Sequence, residues 1–129
     1  MGNGKKMSLC PGFSIIMPTF NRAFCICEAV DSVLMQNYPD FELIVVDDGS
    51  SDGTDMLLKE RYGAEMACGR LKYLQSGHEG VSATRNKGLR AATREWAGYL
   101  DTDNRMCADY FAVFENDRHS LCPYLWGHC

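Results

Sequence analysis

The chain has 129 residues, enough for one domain, and 46% of them are hydrophobic while 23% are charged. Its formal net charge of −4 argues against a nucleic-acid-binding protein, which would usually carry a basic excess. No apolar run approaches the roughly 20 residues that cross a bilayer, so the sequence predicts no membrane span.

The amino-terminal segment and the cysteines set the expected boundaries and compartment. Residues 1–12 contain two lysines but no apolar core, which predicts a disordered leader before a domain at 13–129. Seven cysteines are scattered without a Cys-x-x-Cys pair. An odd count with irregular spacing disfavours a disulfide framework, so we expect reduced thiols in a cytoplasmic setting.

Strand-like and helix-like segments alternate along the chain. Strands are predicted at 13–18, 41–48, 71–75 and 96–101, with a fifth strand beginning at Cys122. Helices are predicted at 22–36, 52–62, 80–93 and 108–121. The runs SIIM and LIVV are continuous rather than alternating, as in strands that are buried on both faces. The order predicts an α/β fold with a mainly parallel sheet flanked by helices.

Three of the helices have predicted caps or packing faces. Asn21 is expected to cap the first helix, and Ser51 or Asp52 the second. The predicted apolar face of the first helix consists of Phe24, Cys27, Val30 and Leu34. Val81, Arg85, Leu89 and Ala92 are spaced along the predicted helix at 80–93.

Polar residues follow each of the first four predicted strands. Open α/β sheets bind ligands outside the carboxyl ends of their strands, where helix N-termini also favour anions. The four segments are PTFNR (18–22), DDGS (47–50), SGHEGVSATRN (76–86) and DTDN (101–104). They are therefore predicted to meet at one rim of the sheet.

The segment DTDN allows two interpretations. Asp101 and Asp103 would point the same way in an extended chain and could face one Mg²⁺ or Mn²⁺ ion. One could instead bind the ion and the other a sugar hydroxyl. Alternatively, Asp101 ends the strand and Asp103 forms an Asx-turn, which the segment taken alone favours.

The second and third strand ends carry further candidates. Asp48, beside Asp47, could accept a hydrogen bond from a nucleobase N–H, although a turn followed by a helix cap is the plainer alternative. Arg85 could reach a phosphate with its two-pronged guanidinium, or could be a solvated helical arginine. His78 is expected to be a polar loop residue.

Several known motifs are missing. The sequence has no P-loop, no dinucleotide fingerprint after the first strand and no Gly-x-Ser-x-Gly elbow.

Four segments of the sequence resemble one known family. Taken in order, FSIIMPTFNR, SVLMQNYPDFELIVVDDGSSDGT, GVSATRNKGL and YLDTDN resemble the nucleotide-sugar-binding N-terminal half of family-two inverting glycosyltransferases, which have the GT-A fold. The resemblance covers about residues 13–104. It implies metal-dependent transfer of a sugar from a nucleotide-sugar, most commonly a UDP-sugar, to a saccharide, lipid or protein acceptor.

The resemblance also implies roles for the matching residues. Those that it places around the nucleotide-sugar are Pro18, Thr19, Phe20, Asn21, Asp47, Asp48, Gly49, Arg85, Asp101 and Thr102. Asp48 would accept the uracil N–H, and Asp101 would lie near the ribose or the donor sugar. Asp103 would coordinate the Mn²⁺ or Mg²⁺ ion through which the diphosphate is held.

The general base is not identified. Inverting transfer needs a carboxylate that deprotonates the acceptor hydroxyl, and in this family it lies well beyond the Asp-x-Asp, in an acceptor-binding half. The acids after Asn104 are Asp109, Glu115 and Asp117, and none is assigned as the base. The expectation is a fragment of a longer enzyme or a non-catalytic nucleotide-sugar-binding module. A nucleotidyltransferase is a weaker alternative, because MPTFNR is not a Gly-rich basic loop.

Overall fold

The computed structural model describes residues 12–36 and 40–102. Its elements, in chain order, are β1 (Phe13–Thr19), α1 (Ile26–Leu34), β2 (Phe41–Asp47), α2 (Thr54–Arg61), α3 (Gly63–Ala67), β3 (Leu71–Gln75), α4 (Val81–Ala91) and β4 (Trp96–Tyr99). The four strands pair in parallel in the order β3-β2-β1-β4. This confirms the predicted parallel α/β sheet. Most of the expected leader, the helix at 108–121 and the fifth strand lie outside the described residues.

Helices cover both faces of the sheet, which is why every residue of β1 and β2 is buried. Ile15 on β1 and Leu43 on β2 belong to a core shared with α1 and α2. Ile16 and Ile44, which point to the other face, pack with the carboxyl-terminal end of α4. Gly12, at the end of the expected leader, is already part of the sheet, because its carbonyl accepts the N–H of Trp96 at 3.0 Å.

The first helix begins later than predicted and is not capped by Asn21. Asn21 has a positive φ of 53°, and the N–H of Ile26 donates to the carbonyl of Arg22 at 2.8 Å, so a turn precedes α1. Phe24 lies in this turn and is 80% exposed, against the prediction. The buried side of α1 consists of Ile26, Ala29, Val30 and Val33, at the spacing of one helical face.

Helix α4 packs on the sheet through two small residues. Thr84 and Gly88 face the sheet, whereas Val81 is 55% and Leu89 44% exposed. A Cβ on Gly88 would lie 2.5 Å from Cγ2 of Ile16, so the helix backbone sits directly on β1. Glycine adds nothing to an apolar periodicity, so the sequence pattern did not indicate this contact.

The second helix is not capped as predicted either. The N-cap of α2 is Gly53 rather than Ser51 or Asp52, and no side chain caps the helix, although Asp52 accepts the N–H of Thr54 at 3.3 Å just before it. The short helix α3 was not predicted. No helix within 12–36 and 40–102 is long and apolar enough to cross a membrane. In the same segments Cys25, Cys27 and Cys68 are free thiols.

A fully buried carboxylate joins the amino-terminal ends of the strands. Glu42 on β2 accepts the hydroxyl of Ser14 on β1 at 2.7 Å and the N–H of Thr93, which leads into β4, at 2.7 Å. Lys72 on β3 forms an ion pair with it at 2.8 Å. Burial alone would raise the pKa of Glu42, but the interactions with Lys72, Ser14 and Thr93 outweigh it and lower that pKa to about 2. The folded protein therefore holds Glu42 charged.

The Glu42→Gln variant is expected to lose about 2 kcal/mol of unfolding free energy at pH 7, because Lys72 loses its partner and the hydrogen bonds weaken. The pKa of Glu42 is lowered by folding, so its stabilisation is present above its ordinary pKa of 4.5 and disappears as the pH falls toward 2. Urea denaturation between pH 7 and pH 2.5 should thus show that Glu42→Gln loses less unfolding free energy on acidification than the unmodified chain.

Glu60→Gln, at an exposed position of α2, is the matched control and should lose as much unfolding free energy as the unmodified chain. Equal acid sensitivity of both variants would refute the assignment.

The Gly88→Ala variant is expected to lose about 1–3 kcal/mol of unfolding free energy, because the added methyl group would overlap Ile16 and push α4 off the sheet. Gly63→Ala in α3 is the control, since a Cβ there meets nothing within 4 Å and should leave stability equal or slightly higher. Denaturant midpoints measure both. A neutral Gly88→Ala would contradict the close helix–sheet contact.

Candidate functional site

A cleft opens where the carboxyl ends of β1 and β4 separate. The chain passes from β1 to β2 on one side of β1 and later returns to β4 on its other side, so the strand order reverses at this point. Open α/β sheets bind their ligands at such topological switch points. The cleft holds about 390 Å³, within the roughly 300–1,000 Å³ of ligand pockets. It is lined by Pro18, Thr19, Phe20, Arg22, Asp48, Val81, Thr84, Asp101 and Thr102.

The lining includes much of the predicted set and some residues that had no predicted role. Pro18, Thr19, Phe20, Asp48, Asp101 and Thr102 were predicted around the nucleotide-sugar and line the cleft. Arg22 is an addition that its place in the PTFNR segment could have indicated. Val81 and Thr84 are further additions from the first turn of α4, and their place in the SGHEGVSATRN segment could likewise have indicated them.

Asp48 organises the loop in front of α4. Its Oδ1 accepts the hydroxyl of Ser76 and the N–H of Glu79, each at 2.7 Å, and its Oδ2 accepts the N–H of Gly80 at 3.0 Å. Burial alone would raise the pKa of Asp48, but these hydrogen bonds outweigh it and lower that pKa. A carboxylate oxygen can accept two bonds, so Oδ2 can still accept one more. The contact to a nucleobase N–H stays a prediction.

Asp47 lies behind the cleft rather than on its wall. Its Oδ1 accepts the N–H of Ser50 at 2.9 Å, and its Oδ2 accepts the hydroxyl of Tyr73 at 2.5 Å. Burial and the bond to Asp47 hold the pKa of Tyr73 well above its ordinary value, so the tyrosine stays a donor. Gly49 follows with a φ of 93°, a left-handed conformation that favours glycine. Asp47 therefore supports the turn after β2.

Asn21 connects the loops after β1 and β2. Its N–H donates to Oγ of Ser50 at 2.7 Å, and its Oδ1 accepts the N–H of Ser51 at 2.8 Å. The N–H of Ala23 donates to Oδ2 of Asp52 at 2.9 Å. We call these three hydrogen bonds the loop clasp. They use the side chain that the sequence assigned to a helix cap, and they fix the backbone beside Phe20.

Two buried polar atoms on residues predicted around the nucleotide-sugar have no hydrogen-bond partner among the described residues, and of the two residues only Thr19 lines the cleft. Thr19 is only 4% exposed, and its hydroxyl oxygen is buried and unpaired. The Nε of Arg85 is also buried and unpaired, while its Nη2 lies 3.4 Å from Oδ1 of Asp101. Buried polar groups are rarely left without a partner. The hydroxyl of Thr19 is therefore a candidate ligand contact in the cleft, whereas the predicted nucleotide-sugar contact Arg85 lies outside the cleft lining.

Of the two acids predicted near the metal ion, the structure describes Asp101. Asp101 lies at the cleft with 51% of its side chain exposed, and its carboxylate is a hard oxygen donor of the kind that Mn²⁺ and Mg²⁺ prefer. Asp103 lies outside the described residues. Within 12–36 and 40–102 no cluster of three or more His, Cys, Asp or Glu could hold a metal ion. Asp101 thus fits part of such a site, and the role of Asp103 stays a prediction.

The fold is similar to that of solved glycosyltransferases. A Staphylococcus aureus TarS structure (residues 1–349) in complex with UDP-GlcNAc superimposes with a TM-score of 0.71 at 31% identity over 84% of this chain and 32% of TarS. The mannosyltransferase PcManGT from Pyrobaculum calidifontis, in complex with GDP-Man and Mn²⁺, gives a TM-score of 0.70 at 31% identity over 78% of this chain and 30% of PcManGT. These neighbours identify the fold as GT-A.

Curated relatives point to the same family. GalNAc(5)-diNAcBac-PP-undecaprenol beta-1,3-glucosyltransferase of Campylobacter jejuni is 30% identical over 121 residues, covering 92% of this chain and 38% of the relative. The Escherichia coli UDP-Glc:alpha-D-GlcNAc-diphosphoundecaprenol beta-1,3-glucosyltransferase WfgD is 36% identical over 92 residues, covering 70% of this chain and 34% of the relative. The chain thus spans 38% or less of the length of these two relatives. The profile described as Glycosyl transferase family 2 matches residues 14–113, and the chain belongs to this family.

Proposed function

We propose that the chain is the donor-binding part of a glycosyltransferase that takes its sugar from a UDP-sugar. The observation that carries this proposal is the cleft at the switch point, which combines the buried unpaired hydroxyl of Thr19 with the carboxylates of Asp48 and Asp101. The UDP-GlcNAc complex of TarS and the UDP-Glc in the name of the E. coli relative support the choice of uridine.

The chemistry of the cleft suggests how the donor lies in it. Phe20 and Asp48 offer an aromatic face and an acceptor, which suit a nucleobase. The first turn of α4, which begins at Val81, directs the positive end of a helix dipole into the cleft, and Arg22 adds a positive charge there. We assign the diphosphate to this region, within reach of Arg85. The sugar would then lie near Asp101.

The proposed cofactor is Mn²⁺ or Mg²⁺, held by Asp103 with Asp101 beside it. A bound ion would neutralise the charge that builds on the diphosphate as it leaves. In the whole enzyme the acceptor hydroxyl oxygen would bond to the anomeric carbon as the bond to the diphosphate breaks on the opposite side, which inverts the configuration. The hydroxyl proton would pass to a base that we do not assign to this chain.

The acceptor and the rival function concern the whole protein. The acceptor is a saccharide, a lipid or a protein, and the names of two relatives include diphosphoundecaprenol-linked or PP-undecaprenol-linked saccharides. We keep the cytoplasmic setting that the scattered cysteines predict.

The rival function is a non-catalytic module that binds the donor without transferring sugar. It predicts the same binding of the donor but no turnover.

Calorimetric titration with UDP tests the metal assignment. The unmodified chain should bind UDP in the presence of Mn²⁺, and Asp103→Ala should weaken this binding at least about tenfold, because the diphosphate loses its metal bridge. Omitting Mn²⁺ should weaken the unmodified chain to a similar degree. Asp55→Ala, an acid on α2 that does not line the cleft, is the control.

Two results would count against these proposals. Equal metal-dependent binding by Asp103→Ala would remove the metal assignment. A full-length protein that binds UDP-sugars with Mn²⁺ but never releases UDP to any saccharide, lipid or protein acceptor would favour the non-catalytic module.

Two buried threonines of the cleft provide a second test, because the hydroxyl of Thr19 is unpaired whereas that of Thr84 is hydrogen-bonded. Thr19→Val should leave the unfolding free energy unchanged or raise it by up to about 1 kcal/mol, since it removes an unpaired buried hydroxyl. It should nevertheless weaken UDP binding about three- to tenfold. Thr84→Val should instead lower the unfolding free energy by about 1 kcal/mol, because the Thr84 hydroxyl donates to the carbonyl of Gly80 at 2.6 Å.

The two readouts are the denaturant midpoint of the free chain and the calorimetric affinity for UDP with Mn²⁺. A Thr19→Val variant that binds UDP as tightly as the unmodified chain would show that the unpaired hydroxyl does not face the ligand.

A further inference from the structure

His78, expected to be an ordinary loop residue, packs on the aromatic ring at the rim of the cleft. The ring centroids of His78 and Phe20 are 4.6 Å apart, with an angle of 35° between the planes. Phe20 lines the cleft, whereas His78 does not. The two residues come from different loops, the ones after β1 and β3, so the contact exists only in the folded protein.

The loop after β3 fixes the backbone at His78 and places its ring beside the end of β2. His78 has a φ of 62°, which is uncommon for a residue other than glycine, and its Nδ1 lies 3.3 Å from the carbonyl oxygen of Asp48. The carboxylate of Asp48 accepts the next two N–H groups along the chain, those of Glu79 and Gly80. The backbone on which His78 stands is therefore fixed from the end of β2.

Phe20 needs such support because its own chain position leaves it exposed. It follows the last residue of β1 and is 41% exposed. The loop clasp fixes the backbone at Asn21, but within the described residues the ring contact to Phe20 comes from His78. With His78 packed against the ring, a further ring face is left for the cleft that Phe20 lines.

We propose that His78 is a positioning residue for the nucleobase of the donor: it holds the ring of Phe20 so that the ring can stack on the base. This inference rests on the proposed function. An aromatic surface that is already oriented loses less side-chain freedom when a base stacks on it, so the base binds more tightly. Removing the support should therefore weaken binding of the base and leave binding of the diphosphate unchanged.

Calorimetry on the 129-residue chain with Mn²⁺ tests this, with UDP as one probe and inorganic pyrophosphate as the other. His78→Asn removes the ring but keeps a residue that tolerates the left-handed backbone. It should weaken UDP binding about three- to tenfold, the range expected for one aromatic pair. Its affinity for pyrophosphate should not change, which distinguishes positioning of the base from a general loss of structure.

A double-mutant cycle shows whether His78 acts through Phe20. Phe20→Ala should weaken UDP binding at least as much as His78→Asn, and adding His78→Asn to Phe20→Ala should cause no further loss. Glu79→Gln, a substitution at the exposed neighbouring position, is the matched control and should bind UDP like the unmodified chain. Thermal unfolding of each variant checks that it is folded.

The outcomes separate the two proposals. If the unmodified chain binds pyrophosphate but not UDP, or neither, the proposed function fails and this inference fails with it. If the unmodified chain binds UDP and His78→Asn binds it equally well, the inference alone is wrong. A His78→Asn loss that persists in the Phe20→Ala background, or that extends equally to pyrophosphate, also overturns it.

Discussion

Parallel pairing of β1 with a neighbour on each side is the constraint on which the candidate site depends. Thr19 pairs in register with Asp47, and the N–H of Leu100 donates to the carbonyl of Ile16 at 3.0 Å, which continues the β1–β4 pairing beyond β4. The ends of β1, β2 and β4 therefore reach the same edge of the sheet. Antiparallel pairing would send neighbouring ends to opposite edges. Because β1 is central, its carboxyl end also marks the point at which the strand order reverses.

At the opposite edge of the sheet, where the strands begin, the buried carboxylate of Glu42 stabilises this alignment. Glu42 is buried at the amino-terminal end of β2, and its partners Ser14, Lys72 and Thr93 come from β1, β3 and the segment before β4. A buried carboxylate is costly unless it is fully paired, so a shift in the register of any of these strands would leave it unsatisfied. The ion pair thus favours one alignment, and the cleft at the far edge depends on that alignment.

Acidic residues with the same appearance in the sequence have different roles in the structure. Asp47 and Asp48 are adjacent, yet Asp47 supports the turn after β2 from behind, while Asp48 shapes the loop after β3 and also lines the cleft. Asp101 is half exposed and makes an ion pair with Arg85. Burial and hydrogen-bond donors decide these roles, and the donors include Tyr73 to Asp47 and Ser76 and Glu79 to Asp48, which are remote in the chain. Asp48, the candidate contact to the base, also accepts hydrogen bonds from the loop that carries His78.

The sequence by itself determined the elements and the rim that they share. Apolar segments predicted the four strands to within two residues at their ends, with continuous runs in β1 and β2, and the polar segments after the strands predicted most of the cleft lining. Burial of both sheet faces requires such runs, so this information is local. The ordered motifs also predicted the family, which the profile match confirmed.

Only the tertiary structure decided which side chains meet across loops. Asn21 looked like a helix cap but bonds Ser51, His78 looked like a loop residue but packs on Phe20, and Gly88 carried no apolar signal although α4 packs through it. Each contact joins residues from different elements, and its geometry follows from the strand register and from how closely a helix approaches the sheet. Periodicity reports burial along one element, whereas these distances are set between elements, so no local pattern could have predicted them.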